Sequence, residues 1–295
     1  MSVWQLEALS VSTDDHRTLE VQVAGPPDGV PLMFFHGTPG AAGPFDQLIA
    51  AGAERGVRHI AYSRPGYNGS DRHKGRSVAS CVSDVVAIAD ALGYERFYCS
   101  GGSGGGPHSI ACAALIPDRV IGVAAIATPA PVDAEGFDWT AGMGEENIAE
   151  YGAAQSGERE LQEYLEREAQ AVGGVSPDAL LEAWNGLFCE ADRRAVSGEY
   201  AEHTVRQIER SLAGGIWGWF DDDLALVSDW GFALDQVNAP LHIWHGGEDQ
   251  FVPVSHGAWL AGHLPGATAQ LRPGDGHLSI TLGSYGEILD ALLEG

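Results

Sequence analysis

Hydrophobic and polar residues alternate along two early stretches, Val3 to Val11 and Thr18 to Ala24, the second with Leu19, Val21 and Val23 on one face. A period of two predicts strands. Pro26-Pro27-Asp28-Gly29 predicts a turn. The run Pro31 to Phe35 is continuously apolar, which fits a strand buried on both faces of a parallel sheet. From there the two periods take turns. Phe45 to Gly56 predicts a helix and Val57 to Tyr62 a strand. Ser77 to Leu92 places Val78, Val82, Val85, Val86, Ala89 and Leu92 on one helical stripe, which Gly93 closes. Arg96 to Ser100 predicts a strand running into a glycine cluster, Gly104 to Ile116 a helix, and Val120 to Thr128 a strand stopped by Pro129 and Pro131. Later come a buried strand at Leu241 to His245, a helix at Val254 to Leu264, a last strand at Ala267 to Leu271 and a last helix at Ser284 to Leu293. The expected class is therefore α/β: a mostly parallel, doubly wound sheet.

Residues 132–238 break this alternation. The segment is helix-like, clearest at Glu158 to Ala171 and Ala201 to Leu212. It holds 23 acidic against six basic residues, −17 of the chain's formal charge of −25, and five of its eight tryptophans. An acidic, aromatic-bearing insertion after the sixth core strand is expected to form a helical cap over the sheet's carboxyl edge, where open α/β sheets bind ligands. The expected division is a core of 1–131 and 239–295 and a cap of 132–238.

Charge narrows the function classes. With 41 acidic and 16 basic residues, of which only Lys74 is lysine, the chain repels phosphate backbones and anionic lipid surfaces. A small-molecule substrate is the expected partner, with no nucleic acid and no membrane; oligomeric state is not readable. Cys81, Cys99, Cys112 and Cys189 have no metal-ligand spacing and lie mostly in apolar runs, as buried free thiols do. The N-terminal residues lack a basic segment followed by an apolar core, and no apolar stretch reaches ~18 residues. A cytoplasmic location is expected.

The sharpest local signal is Gly101-Gly102-Ser103-Gly104-Gly105, a G-x-S-x-G between a predicted strand and a predicted helix. A serine that projects its hydroxyl from such a turn needs neighbours without bulk two residues away on either side, because strand and helix pass close there. Gly101 and Gly105 meet that need. A serine nucleophile also needs a base, a group to orient the base, and donors for the oxyanion. His277, in the loop Gly274-Asp275-Gly276-His277 after the last strand, is the candidate base. Asp249, in the loop after Leu241 to Trp244, is the candidate orienter, with Glu248 and then Asp133 as competitors. The amides of Thr38 and Gly104 are the candidate oxyanion donors. His36, Gly37, Trp217 and Trp219 are candidate substrate contacts, although holding the loop is the stronger reading for His36 and packing for the tryptophans. The order Ser103, Asp249, His277 differs from the chymotrypsin and subtilisin orders and is that of elbow-type hydrolases. With no Walker lysine after the glycines and no paired-histidine spacing, no cofactor and no metal are expected.

The segments HGTPG (36–40), SRPGYNGSD (63–71), GGSGGG (101–106), HGGEDQFVP (245–253) and GDGH (274–277) together resemble the α/β-hydrolase superfamily, in its capped branch of esterases, proline iminopeptidase-like peptidases and haloperoxidase-like enzymes. DDDLALVSDWGF (221–232) is similar to the return from the cap in such proteins. The resemblance makes the 63–71 loop structural, with Asp71 bracing it. Gly104 departs from the pattern, since relatives usually carry a larger side chain there, and glycine implies more room at the acyl side. The function expected is a metal-free serine hydrolase acting on a small, largely apolar ester or amide. One alternative is an aminopeptidase whose acidic cap holds the substrate amine. Others are a ligand-binding protein, or a perhydrolase, lyase or cyclase using the same pocket.

Overall fold

The computed structural model describes residues 6–196 and 198–294. Its strands are β1 (Glu7–Ser12), β2 (Thr18–Ala24), β3 (Val30–Phe35), β4 (Val57–Tyr62), β5 (Phe97–Gly102), β6 (Val120–Ile126), β7 (Leu241–Gly246) and β8 (Thr268–Arg272). They form one sheet in the order β1-β2-β4-β3-β5-β6-β7-β8. β2 runs antiparallel to β1 and to β4, and the other pairs are parallel. This is the doubly wound, mostly parallel sheet that the alternating periods predict. Of the strand expected at Val3 to Val11, residues 3–5 lie outside the described residues.

The core helices are α1 (Asp46–Ala53), α2 (Cys81–Leu92) and α3 (Gly106–Leu115). Between β6 and β7 lie α4 (Glu145–Ser156), α5 (Glu158–Val172), α6 (Pro177–Ala183), α7 (Glu190–Ala195), α8 (Glu199–Leu212) and α9 (Trp217–Leu226). The chain then returns to the sheet, followed by α10 (Val254–His263) and α11 (Ser279–Glu294). No described helix is long and apolar enough to cross a membrane.

Alternate residues of the central strands feed two cores, as the pleat requires. Met33, Phe35, Cys99, Val123 and Ile243 pack on one face with residues of α2 and α3 such as Val85, Ile88 and Ile110. Leu32, Ala124, Ile126 and Trp244 pack on the other with Leu48 of α1 and Ile280, Tyr285, Ile288 and Leu289 of α11. Both faces are covered, which explains why these strands read as unbroken apolar runs.

The topology also decides where chemistry can gather. The strand order turns back at β3, which has β4 on one side and β5 on the other. The loops leaving β3 and β5 therefore diverge and open a crevice at their carboxyl ends. β7 and β8 run parallel to them, so the loops after all four strands emerge at the same edge. Asp71 braces the neighbouring loop: its Oδ2 accepts from the Thr18 amide at 2.7 Å and its own amide donates to Thr18 O at 2.8 Å.

Most element ends fall within a few residues of the sequence expectation. The last helix is the exception, starting at Ser279 rather than Ser284. Leu278-Ser279-Ile280-Thr281 has two β-branched residues and no local cap, so its own preference for helix is weak. The cap comes from the helical insertion, as described below.

Candidate active site

Ser103 follows β5 and opens a single 3₁₀ turn that passes into α3. Its φ of +53° is a region where a residue with a side chain is strained, and strain of this kind clusters at functional turns. The flanking glycines are required sterically. A Cβ on Gly101 would run into the carbonyl of Gly105, and one on Gly105 into the carbonyls of Phe35 and His36. The turn thus leans directly on the end of β3.

The loop after β3 is held from behind by Arg64. Its guanidinium donates to His36 O at 2.5 Å and to Gly37 O at 2.9 Å. Carbonyl and N–H point in opposite directions across a trans peptide, so with Gly37 O turned toward Arg64 the Thr38 N–H points away from it. Ser103 adjoins the same loop: a Cβ built on Gly37 would sit 3.5 Å from Ser103 Cβ and 4.0 Å from its Oγ. The Gly104 amide belongs to the first turn after the elbow, where helical N–H groups have no intrahelical partner. This geometry suits two donors converging on a developing oxyanion.

His36 braces the loop, the stronger of its two sequence readings. Its Nδ1–H donates to Gly37 O at 2.7 Å and its Nε2 accepts from the Arg64 amide at 3.1 Å, leaving no ring nitrogen for a ligand. Burial, with the adjacent Arg64 charge, pushes its pKa well down, so the ring is neutral.

Asp249 and His277 meet. His277 Nδ1 donates to Asp249 Oδ2 at 2.7 Å, while Asp249 Oδ1 accepts from the amides of Phe251 and Val252, both at 2.9 Å. The imidazole stacks on the Phe251 ring, with centroids 4.6 Å apart and planes 24° apart. Burial works against the Asp249 carboxylate, but His277 and His245 outweigh it and hold its pKa at about 2. Burial likewise disfavours the His277 imidazolium, and the Asp249 carboxylate, with Asp192, reverses that and raises its pKa. Asp249 therefore has the contact, and its competitors Glu248 and Asp133 do not. No hydrogen bond joins Ser103 Oγ to His277 among the described residues. Such bonds are often long before substrate arrives.

Two aspartates of the helical insertion, neither marked out as a site residue by a motif, reach into this edge. Asp222 of α9 is fully buried. It accepts from Arg64 Nε and Nη2 (3.0 and 2.5 Å to Oδ2), Arg76 Nη1 (2.5 Å), Tyr67 Oη (2.8 Å) and Thr38 Oγ1 (2.9 Å). Burial opposes its charge, and the two guanidiniums override that and hold its pKa far below the usual range. Asp192 of α7, also fully buried, accepts from the amides of His277, Leu278 and Ser279. The one signal in the sequence was the acidic triplet 221–223 set inside an apolar stretch, a pattern that requires buried partners.

Gly104 departs from the sequence expectation. The space that a glycine seemed to leave is taken: a Cβ there would meet the Thr38 hydroxyl and lie 3.0 Å from Thr38 Cβ and 3.4 Å from Leu226 Cδ1. Trp217 and Trp219 make the packing contacts that were the stronger of their two readings. Trp219 is buried among Tyr67, Leu161, Leu165 and Phe220, and its Nε1 donates to Glu150 Oε1 at 2.8 Å. Trp217 lies edge-on to Phe220 with the Arg72 guanidinium 4.1 Å from its ring centroid. Their surroundings are packing contacts of the insertion and its junction with the core. Among the described residues, no cluster of three or more His, Cys, Asp or Glu side chains is arranged to hold a metal ion.

Comparison with known proteins adds a family to this geometry. The profile described as "alpha/beta hydrolase fold" matches residues 30–283. A non-heme chloroperoxidase of Streptomyces lividans is 26% identical over 285 residues, 95% of this chain and 96% of that protein. Among solved structures, an esterase from Exiguobacterium antarcticum superposes with a TM-score of 0.72 at 18% identity, covering 98% of this chain and 100% of its own. A bromoperoxidase from Bacillus anthracis gives 0.72 at 19% identity, with the same coverage. At these identities the two structures speak for the fold alone.

Proposed function

Because the chain belongs to the alpha/beta hydrolase fold family, we propose that it is a serine hydrolase that opens a small, largely apolar ester or amide through an acyl-enzyme on Ser103. His277 Nε2 takes the Ser103 proton as Oγ attacks the carbonyl carbon, and the Thr38 and Gly104 amides hold the resulting oxyanion. Asp249 keeps the His277 tautomer and stabilises the imidazolium, which returns the proton to the leaving group. Water then repeats the sequence on the acyl-enzyme. In this reading residues 132–238 are a cap. The 2.7 Å contact of His277 with Asp249, on the edge that carries a serine at φ +53°, is the observation that supports the reading most. Leu226 over Gly104 and Phe251 against His277 favour an apolar acyl group. Four buried free thiols suit a reducing compartment, in keeping with a cytoplasmic enzyme.

A fluorophosphonate probe tests this. One equivalent should attach to Ser103, located by peptide mapping, and His277→Ala should slow labelling at least a hundredfold. Labelling elsewhere, or at an unchanged rate in the variant, would sink the proposal.

A second reading, a substrate bearing a free amine, is favoured by one feature of the insertion. Asp223 is fully buried, and neither of its carboxylate oxygens receives a hydrogen bond from an N–H or hydroxyl group among the described residues. Burial, then the neighbouring Glu150 and Asp222 charges, push its pKa well up, and burial likewise raises that of Glu150 of α4 to about 7. A substrate ammonium would supply the missing donors. Alanyl and propionyl esters of one alcohol separate the readings. An amine site should favour the alanyl ester about tenfold or more in kcat/KM, with Glu150→Gln abolishing the preference. Equal rates would leave the two carboxyls a structural feature of the insertion.

A further inference from the structure

We propose that Asp192, carried by the helical insertion, is a positioning residue for His277, fixing its backbone and supporting the charge its ring acquires. The inference rests on the reading of His277 as the general base.

The contact is dense. Asp192 Oδ2 accepts from the His277 amide at 3.0 Å, and Oδ1 accepts from the Leu278 amide at 3.0 Å, the Ser279 amide at 2.8 Å and Ser279 Oγ at 2.8 Å. Ser279 Oγ in turn accepts from the Gly276 amide at 2.7 Å, closing a ring of hydrogen bonds around the peptide that carries the imidazole. Gly276 must lack a side chain for this, because a Cβ there would strike Asp192 Oδ2 and Cys189 Sγ. The Ser279 amide is the first of α11 and the other two immediately precede it, so the carboxylate sits at the positive end of that helix.

A neutral cap would have satisfied those amides. A buried carboxylate is a costlier choice, since no arginine or lysine among the described residues pairs with it and only N–H and O–H donors compensate its charge. That charge lies one peptide away from the imidazole. The charged and titratable groups facing the ring are Asp249 from the loop after β7, Asp192 from α7, and His245 at the end of β7, whose Nε2 lies 3.5 Å from Asp249 Oδ2. Asp249 holds the ring through Nδ1 and Asp192 holds the same residue through its main chain. With both ends fixed, the direction of Nε2 is determined.

Asp192→Asn is nearly isosteric. Its carbonyl can keep the Oδ1 bonds, while its NH₂ faces the His277 N–H and the charge is gone. The expected result is a kcat reduced roughly 10- to 100-fold with KM nearly unchanged, as a small misplacement of the base produces. The acid limb of kcat/KM against pH should also move to lower pH. The base works only when neutral, Asp192 raises its pKa, and without that charge His277 sheds its proton sooner. Asp192→Glu keeps the charge but adds a methylene in space already filled beside Gly276. It should lose kcat with the acid limb in place, and it reports even if the asparagine variant does not fold. A folded Asp192→Asn enzyme with wild-type kcat, a loss of kcat with an unmoved limb, or an Asp192→Glu enzyme of full activity would overturn the inference. If turnover in the parent enzyme instead survives His277→Ala, it is the general-base reading itself that falls.

Discussion

Ser103→Ala should lower kcat by roughly 10⁴- to 10⁶-fold while KM changes only a few-fold, since in the proposed mechanism the hydroxyl forms the acyl bond and the rest of the site still binds substrate and oxyanion. Steady-state kinetics on a p-nitrophenyl ester measures this, and a residual rate within a hundredfold of the parent would exclude Ser103 as nucleophile. The substitution should hardly change stability, because alanine at φ +53° is as strained as serine. Ser103→Gly tests that point. It removes the same hydroxyl, so it should be equally inactive, yet it relieves the turn and should raise the unfolding free energy by about 1 kcal/mol in urea titration. An inactive but more stable protein is what a turn strained for its chemistry produces.

The second large effect concerns stability. Asp222→Ala should destabilise the fold by about 3–5 kcal/mol, because it leaves the buried guanidiniums of Arg64 and Arg76 without their counter-charge. The urea midpoint measures it, and a change under about 1 kcal/mol would mean that water or another carboxylate takes over. Activity should fall as well. Thr38 Oγ1 donates to Asp222, and Arg64 holds the carbonyls of His36 and Gly37, so losing the carboxylate loosens the peptide that presents the Thr38 amide. Asp222→Asn should lie between the parent and alanine on both measures, since it keeps an acceptor oxygen and loses the charge.

The two aspartates also show where a sequence stops being informative. The elements of the sheet were legible because alternation and apolar runs are local consequences of which face is buried. The elbow was legible because its glycines answer a steric demand two residues away. Asp249 and His277 were legible because the strand before each predicts which edge its loop reaches. Asp192 and Asp222 were not. They are two of 23 acidic residues in the insertion, and what sets them apart is burial against residues 85 and 158 positions away. The same long-range contact explains why α11 starts early: its cap is not in its own stretch of chain. Gly104 misled for a related reason. A missing side chain reads as space, but Thr38 from β3's loop and Leu226 from α9 fill it.

The carboxylates on α7 and α9 set a limit on engineering. Because one grips the loop bearing His277 and the other the loop bearing Thr38, residues 132–238 are not a detachable module for retuning selectivity. A chimera grafting a foreign insertion onto this scaffold would leave both loops slack unless the graft brings acids to both places, whatever the shape of its pocket. Directed evolution for new substrates on this scaffold therefore has to leave the two anchor points in place.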